Sequence, residues 1–120
     1  MKHTQERTGY FDFERLDAYW LALEAVQFVA MRRHKLRGLP GKTGEQLERG
    51  LAGALTNLCS GASAQGAEQR RQIRIALTEA SEAGGANELA RAYRAFPDEE
   101  HPHLRSILLR LCACLRGLAR

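Results

Sequence analysis

A chain of 120 residues, 44% hydrophobic and 27% charged, fits one globular domain; dominant disorder and a sizeable second core are both excluded. Lys and Arg number 18 against 14 Asp and Glu, a formal charge of +4, and only Lys2, Lys35 and Lys42 are lysines. The basic character therefore rests on arginine, whose planar fork suits phosphates, carboxylates and aromatic faces.

No apolar run approaches the roughly 20 residues that span a bilayer, and no charged-then-apolar leader opens the chain. Cys59, Cys112 and Cys114 are odd in number and do not form a disulfide framework. The expectation is a cytoplasmic protein with free thiols and no membrane association.

Residues 1–11 are polar and aperiodic for the most part and read as a flexible N-terminal tail. The first helix is predicted over residues 12–37, with Asp12 as N-cap and Gly38, Pro40 and Gly41 as its stop. Its core stripe reads Leu16, Tyr19, Leu23, Val26 and Ala30, flanked by Phe13, Trp20 and Met31. Leu21 and Phe28, one heptad apart, fall on the wheel among Glu14, Asp17, Glu24 and Arg32. That placement reads as an oligomer interface; the alternative is a wide core face.

The second helix is predicted over 43–61, opened by a capping box, Thr43-x-x-Gln46, with a stripe of Leu47, Leu51, Ala54, Leu58 and Ala62. Gly50, Ala52, Gly53 and Ala54 allow close helix approach. The third spans 64–96, on Ile73, Leu77, Ala80 and Gly84, then Leu89, Tyr93 and Phe96. Gly84-Gly85 softens its centre; two helices, the second capped by Asn87, are the alternative. A connector over 97–103 leads to the fourth helix, 102–118, where Leu104, Leu108, Leu111, Leu115 and Leu118 repeat at 4-3-4-3. No strand pattern occurs. The predicted fold is all-α, an antiparallel up-down four-helix bundle in a single domain, 12–120.

Catalysis finds no motif. There is no phosphate loop, no nucleotide-binding glycine pattern and no nucleophile signature, and no cofactor is implied. The Glu-x-x-His of di-metal bundles is missing, His101-Pro102-His103 reads as a solvated loop, and Cys112-x-Cys114 places its thiols about 200° apart on a helix. No metal and no enzyme are expected.

The arginines are the candidate site. Arg32, Arg33, Lys35 and Arg37 crowd the end of the first helix, where cations also favour the helix dipole. Arg70, Arg71 and Arg74 share a turn near the start of the third, against the dipole, and Arg105 and Arg110 (with Arg116) decorate the fourth. Brought together in an oligomer, such patches would bind phosphate backbones of RNA or DNA without strong sequence specificity. A protein-interaction scaffold with an incidental Arg surface is the alternative.

Several short stretches then resemble a known family. Leu16-Asp17-Ala18-Tyr19 with Ala22-Leu23, Gln46-Leu47-Glu48-Arg49, Asn57-Leu58-Cys59-Ser60-Gly61, and Ala76 with Glu82 follow its pattern in order. Ser60 stands where the family has Glu, and Glu79 where it has Ser. The family is the four-helix-bundle proteins of ribosomal RNA intervening sequences, which includes the accessory variability protein of diversity-generating retroelements. The resemblance implies a cyclic homo-oligomer, typically a homopentamer, and for retroelement members a basic surface engaging a reverse transcriptase and nucleic acid. Asn57 is expected to make a buried bond to a neighbouring helix or subunit. Arg49 is expected to pair with a carboxylate, and Glu82 to be a further structural polar residue.

Overall fold

The computed structural model describes residues 9–120. Residues 1–8 of the expected tail lie outside the described residues. The elements are all helical: α1 (Asp17–Ala30), the short α2 (Arg33–Leu36), α3 (Thr43–Ser63), α4 (Gly66–Ala92) and α5 (Glu100–Leu118), with 3-10 turns at Asp12–Arg15 and Pro40–Lys42. Among the described residues there is no strand, and no helix is long and apolar enough to cross a membrane.

The first predicted helix is broken twice. Asp12 opens only a 3-10 turn, where the Glu14 carboxylate accepts the Phe11 N–H at 2.8 Å, and the chain is extended at Leu16 before α1 begins. A second break falls at Met31-Arg32. There the Arg32 guanidinium folds back to donate to the Phe28 carbonyl at 2.8 Å, and it lies 3.6 Å from the centre of the Phe28 ring.

The turn before α3 differs from the expected capping box. Lys42 flanks the helix in the left-handed region at φ 59°, and Thr43 lies inside the helix with its hydroxyl donating to the Pro40 carbonyl at 2.6 Å. α4 runs unbroken through Gly84-Gly85, and the helical packing of its neighbours holds it there. Gly66, in the left-handed region at φ 60°, makes the reversal from α3 after only Ala64-Gln65. The third helix stops at Ala92 instead of 96, where Arg94 turns into the left-handed region at φ 58°, and the connector moves back to residues 93–99, since α5 begins at Glu100.

The four long helices pack in the cyclic order α1, α3, α4, α5. Cross-helix pairs show that neighbours run antiparallel. Gly50 abuts Glu79 and Ala83 while Gly61 abuts Ile73; Ser81 meets Cys112 while Glu88 meets Arg105; Phe28 meets His103 while Leu16 and Leu118 line one cleft.

The core of α1 is Ala18, Leu21, Ala22, Ala25, Phe28 and Val29, not the stripe predicted from its larger residues. Leu21 and Phe28 are 8% and 9% exposed, so their expected place on a solvent-facing seam is corrected: they are core. The reason is where the alanines fall. The small side chains Ala18, Ala22 and Ala25 occupy the buried face of α1, with Leu21 and Phe28 beside them, and Tyr19, Leu23 and Val26 are left only half-buried. The Phe28 ring then packs edge-on to Phe96 at 6.0 Å.

On α4 the buried face is Ile73, Ala76, Ala80, Ala83, Ala86, Asn87 and Ala90, while Leu89, and Tyr93 just past its end, are exposed. A Cβ added to Gly50 would stand 2.9 Å from the Glu79 carbonyl oxygen and 3.0 Å from the Ala83 nitrogen, so only glycine permits this approach.

Candidate nucleic-acid interface

Helix α4 sorts its charges by flank. Ser81 faces Cys112 of α5 and Glu88 carries an ion pair to Arg105, so the stripe 74, 77, 81, 88 is the flank toward α5. Arg70 and Arg74, four residues apart, continue that stripe. Glu79 lies on the other side, against Gly53 of α3, and Glu82 lines a groove there with Gln46 and Arg49. On α5 the matching stripe is Arg105, Leu109, Cys112 and Arg116, with Leu109 well exposed. The α4–α5 face thus carries Arg70, Arg74 and Arg116 toward one end, and Arg105 paired with Glu88 toward the other.

The predicted site residues divide according to whether a carboxylate holds them. Arg32 is structural: Nε lies 3.0 Å from Glu100 Oε1, Nη2 donates to Oε2 at 3.1 Å, and the ring of Phe28 covers its face. This pair holds the Glu100 carboxyl below its ordinary range. Lys35 adds a looser contact to the same carboxylate at 3.9 Å. Arg33 is paired with Glu48 at 2.7 Å, Arg71 with Glu68 at 3.2 Å, and Arg105 with Glu88 at 2.9 Å. Glu68 explains the basic turn against the dipole: it stands in the first turn of α4 and holds Arg71 by i,i+3 spacing. Arg37, Arg70, Arg74 and Arg110 are exposed and make no ion pair among the described residues, and Arg116 joins them. Its place one turn beyond Cys112 on the α4 flank was readable from spacing once that flank was known.

The ends are not brought together. Arg32, Arg33, Lys35 and Arg37 lie at the end of the molecule that holds the start of α5. Arg70, Arg71 and Arg74 lie at the other, where Asp12, Arg15, Gln69 and Leu118 line one cleft. Arg49 is exposed and unpaired among the described residues, so its expected carboxylate partner is not there; Glu82 shares its groove without reaching it. Asn57 is half-buried and donates to the Gly53 carbonyl of its own helix at 2.8 Å, replacing the expected bond to another helix. Glycine at 53 makes room for the Glu79 side chain, whose Oε1 would stand 2.7 Å from an added Cβ.

One polar cluster escaped sequence reasoning. His101 and Asn87, 2% and 1% exposed, meet inside the α4–α5 corner. The Phe96 N–H donates to His101 Nε2 at 3.1 Å, which fixes Nε2 as acceptor and puts the proton on Nδ1, facing Asn87 Oδ1 at 3.3 Å. The Asn87 amide donates to the His101 carbonyl at 3.2 Å. Both ring nitrogens are engaged, so the expected solvated loop is corrected to a buried, neutral histidine. Burial, then Arg91, lowers its pKa.

No profile of a known protein family matches the chain, and no curated protein does. Among solved structures, the chain is similar to a protein of unknown function from the S23 ribosomal protein family of Bacteroides thetaiotaomicron VPI-5482, with 19% identity and a TM-score of 0.75. The match covers 86% of this chain and 98% of that one, so the likeness extends to the whole helical fold.

Proposed function

We propose that this chain is a non-enzymatic four-helix-bundle subunit that binds the phosphate backbone of nucleic acid through its α4–α5 face. One observation carries the reading: Arg70, Arg74 and Arg116 stand exposed and without an ion pair among the described residues, on a face where Glu88 is held by Arg105 while Glu79 and Glu82 lie on the other flank. Such cations cost the fold nothing to release, and they present forks suited to phosphate oxygens. The similar solved structure is of unknown function and bears on fold alone.

The sequence resemblance extends the proposal to a cyclic homo-oligomer, a pentamer, working beside a reverse transcriptase. With Leu21 and Phe28 in the core, the subunit contact moves to a groove between α1 and α3 of about 290 Å³, lined by Val26, Ala30, Ala52 and Leu55.

Titrating labelled duplex DNA across a salt series tests the reading. Neutralising three or four phosphates predicts a log–log slope of about −3, and charge reversal at Arg74 and Arg116 together reduces it by about 2. Absent binding at low salt, or a slope unmoved by the reversals, overturns it. A scaffold without nucleic-acid binding is the second reading. It is favoured by the arginines that Glu48, Glu68, Glu88 and Glu100 already engage. That reading predicts protein partners alone in a pulldown.

A further inference from the structure

The residues leading into α1 expose aromatic surface that the basic face does not explain. Phe11 is 67% exposed and Tyr10 is 41% exposed. Burying such a ring is worth about 1.5–3 kcal/mol, so leaving it in water forgoes a large gain. The Phe11 ring is nevertheless held in place. Its N–H is bound by the Glu14 carboxylate, its carbonyl accepts the Glu14 N–H at 3.0 Å, and one face stacks on Phe13 at 5.0 Å with planes 9° apart. Beyond Phe13 the ring contacts run on to Tyr19, tilted by 48°, and to Trp20, edge-on at 77°, each under 5 Å between centroids. Arg15 covers Tyr10, with its guanidinium carbon 4.8 Å from the ring centre and its Nε donating to the phenol oxygen at 3.0 Å.

We infer that this aromatic shelf is a stacking platform for the unpaired bases of single-stranded nucleic acid. Three observations select that occupant. The ring is flat, exposed, and among the described residues stacked on one neighbour, Phe13, which is how proteins seat successive bases without reading sequence. Arg15 sits beside it, placing a cation where a strand's phosphate would run. The same end of the molecule carries Arg70, Arg74 and Arg116, as the cleft shared by Arg15, Gln69 and Leu118 shows. The acids there are partly engaged: Glu68 by Arg71 and Glu14 by the Phe11 amide, leaving Asp12 and Asp17. A duplex keeps its bases stacked inside and gains nothing from the shelf.

This inference rests on the proposed nucleic-acid binding and adds strand selectivity to it. The test compares a fluorescein-labelled oligouridylate with a duplex DNA of similar length, using the full chain and its Phe11→Ala and Phe11→Trp variants. Phe11→Ala lowers affinity for the single strand about ten-fold, leaves the duplex within two-fold and keeps the salt slope; Phe11→Trp retains single-strand binding. Circular dichroism confirms that the exposed substitution leaves the helices intact. An unchanged single-strand affinity, or an equal loss for both ligands, overturns the shelf while leaving the basic face standing. So does a wild-type protein that binds duplex only. Failure to bind either ligand at low salt overturns both. A Phe11→Ala variant that instead changes the solution mass marks the shelf as a protein contact, and the proposal fails.

Discussion

The α3–α4 seam and the α4–α5 corner share one helix and use opposite means. The seam is built from absence: Gly50, Gly61, Ala76, Ala80 and Ala83 remove side chains so that two backbones touch. The corner is built from polar groups: Asn87, His101 and the Phe96 amide satisfy one another out of water. The contrast shows that tolerance depends on which neighbour must yield. At Gly50 the neighbour is backbone and cannot move. At the corner a hydrogen-bond partner can be lost while the packing remains.

Substitution at the seam has the largest expected effect. Gly50→Leu forces a side chain onto the Glu79 carbonyl and the Ala83 nitrogen, and costs about 3 kcal/mol or more in chemical denaturation. A loss below about 1 kcal/mol would show that the helices separate easily and would dissolve the contrast. Asn87→Ala comes next. It removes the acceptor of His101 Nδ1–H and the side-chain donor to the His101 carbonyl, and leaves a small void, for about 2–3 kcal/mol by the same measurement.

Acid separates the two regions without mutation. His101 is neutral when folded, with its pKa below the ordinary 6.5, so the unfolded chain binds the proton first. Its share of stability is complete above about pH 6.5 and is lost as pH falls through the lowered folded value. Glu100, held below 4.5 by Arg32, acts with the same sign at lower pH. Thermal midpoints should therefore fall on acidification from neutral pH. The slope that sets in below about pH 6.5 should be reduced in His101→Phe, and a slope unchanged in that variant would remove the histidine from the account.

The smallest effect reverses sign within α4. Nothing lies within 4 Å of a Cβ added to Gly84 or Gly85. Gly84→Ala and Gly85→Ala should each stabilise by about 0.5–1 kcal/mol, read as a raised thermal midpoint. Destabilisation there would mean that the pair serves the α4–α5 face, close to its proposed ligand.

Sequence periodicity located the long helices because their leucines repeat, as on α5 from Leu104 to Leu115. It misjudged faces where alanine is the core residue: alanine carries a weak hydrophobic signal, so Tyr19 and Leu89 drew the stripe toward themselves. Leu21 and Phe28 were misplaced for that reason. The basic face was half legible. Clustering marked Arg70 and Arg74, but which arginines are engaged depends on Glu48, Glu68, Glu88 and Glu100. Only the Glu68 partner lies within a helical turn of its arginine. His101 and Asn87 are 14 positions apart and read separately as a loop residue and a cap.

The two-residue link Ala64-Gln65 also bears on how the chain reaches this state in time. It joins the two longest helices, so their seam closes a very short loop, whereas docking α1 on α5 must bring together residues such as Phe28 and His103 from distant parts of the chain. Local contacts form first. The α3–α4 hairpin is thus the expected element on which the rest assembles, and Gly50→Ala is expected to slow folding as well as loosen the final packing, as stopped-flow refolding would show.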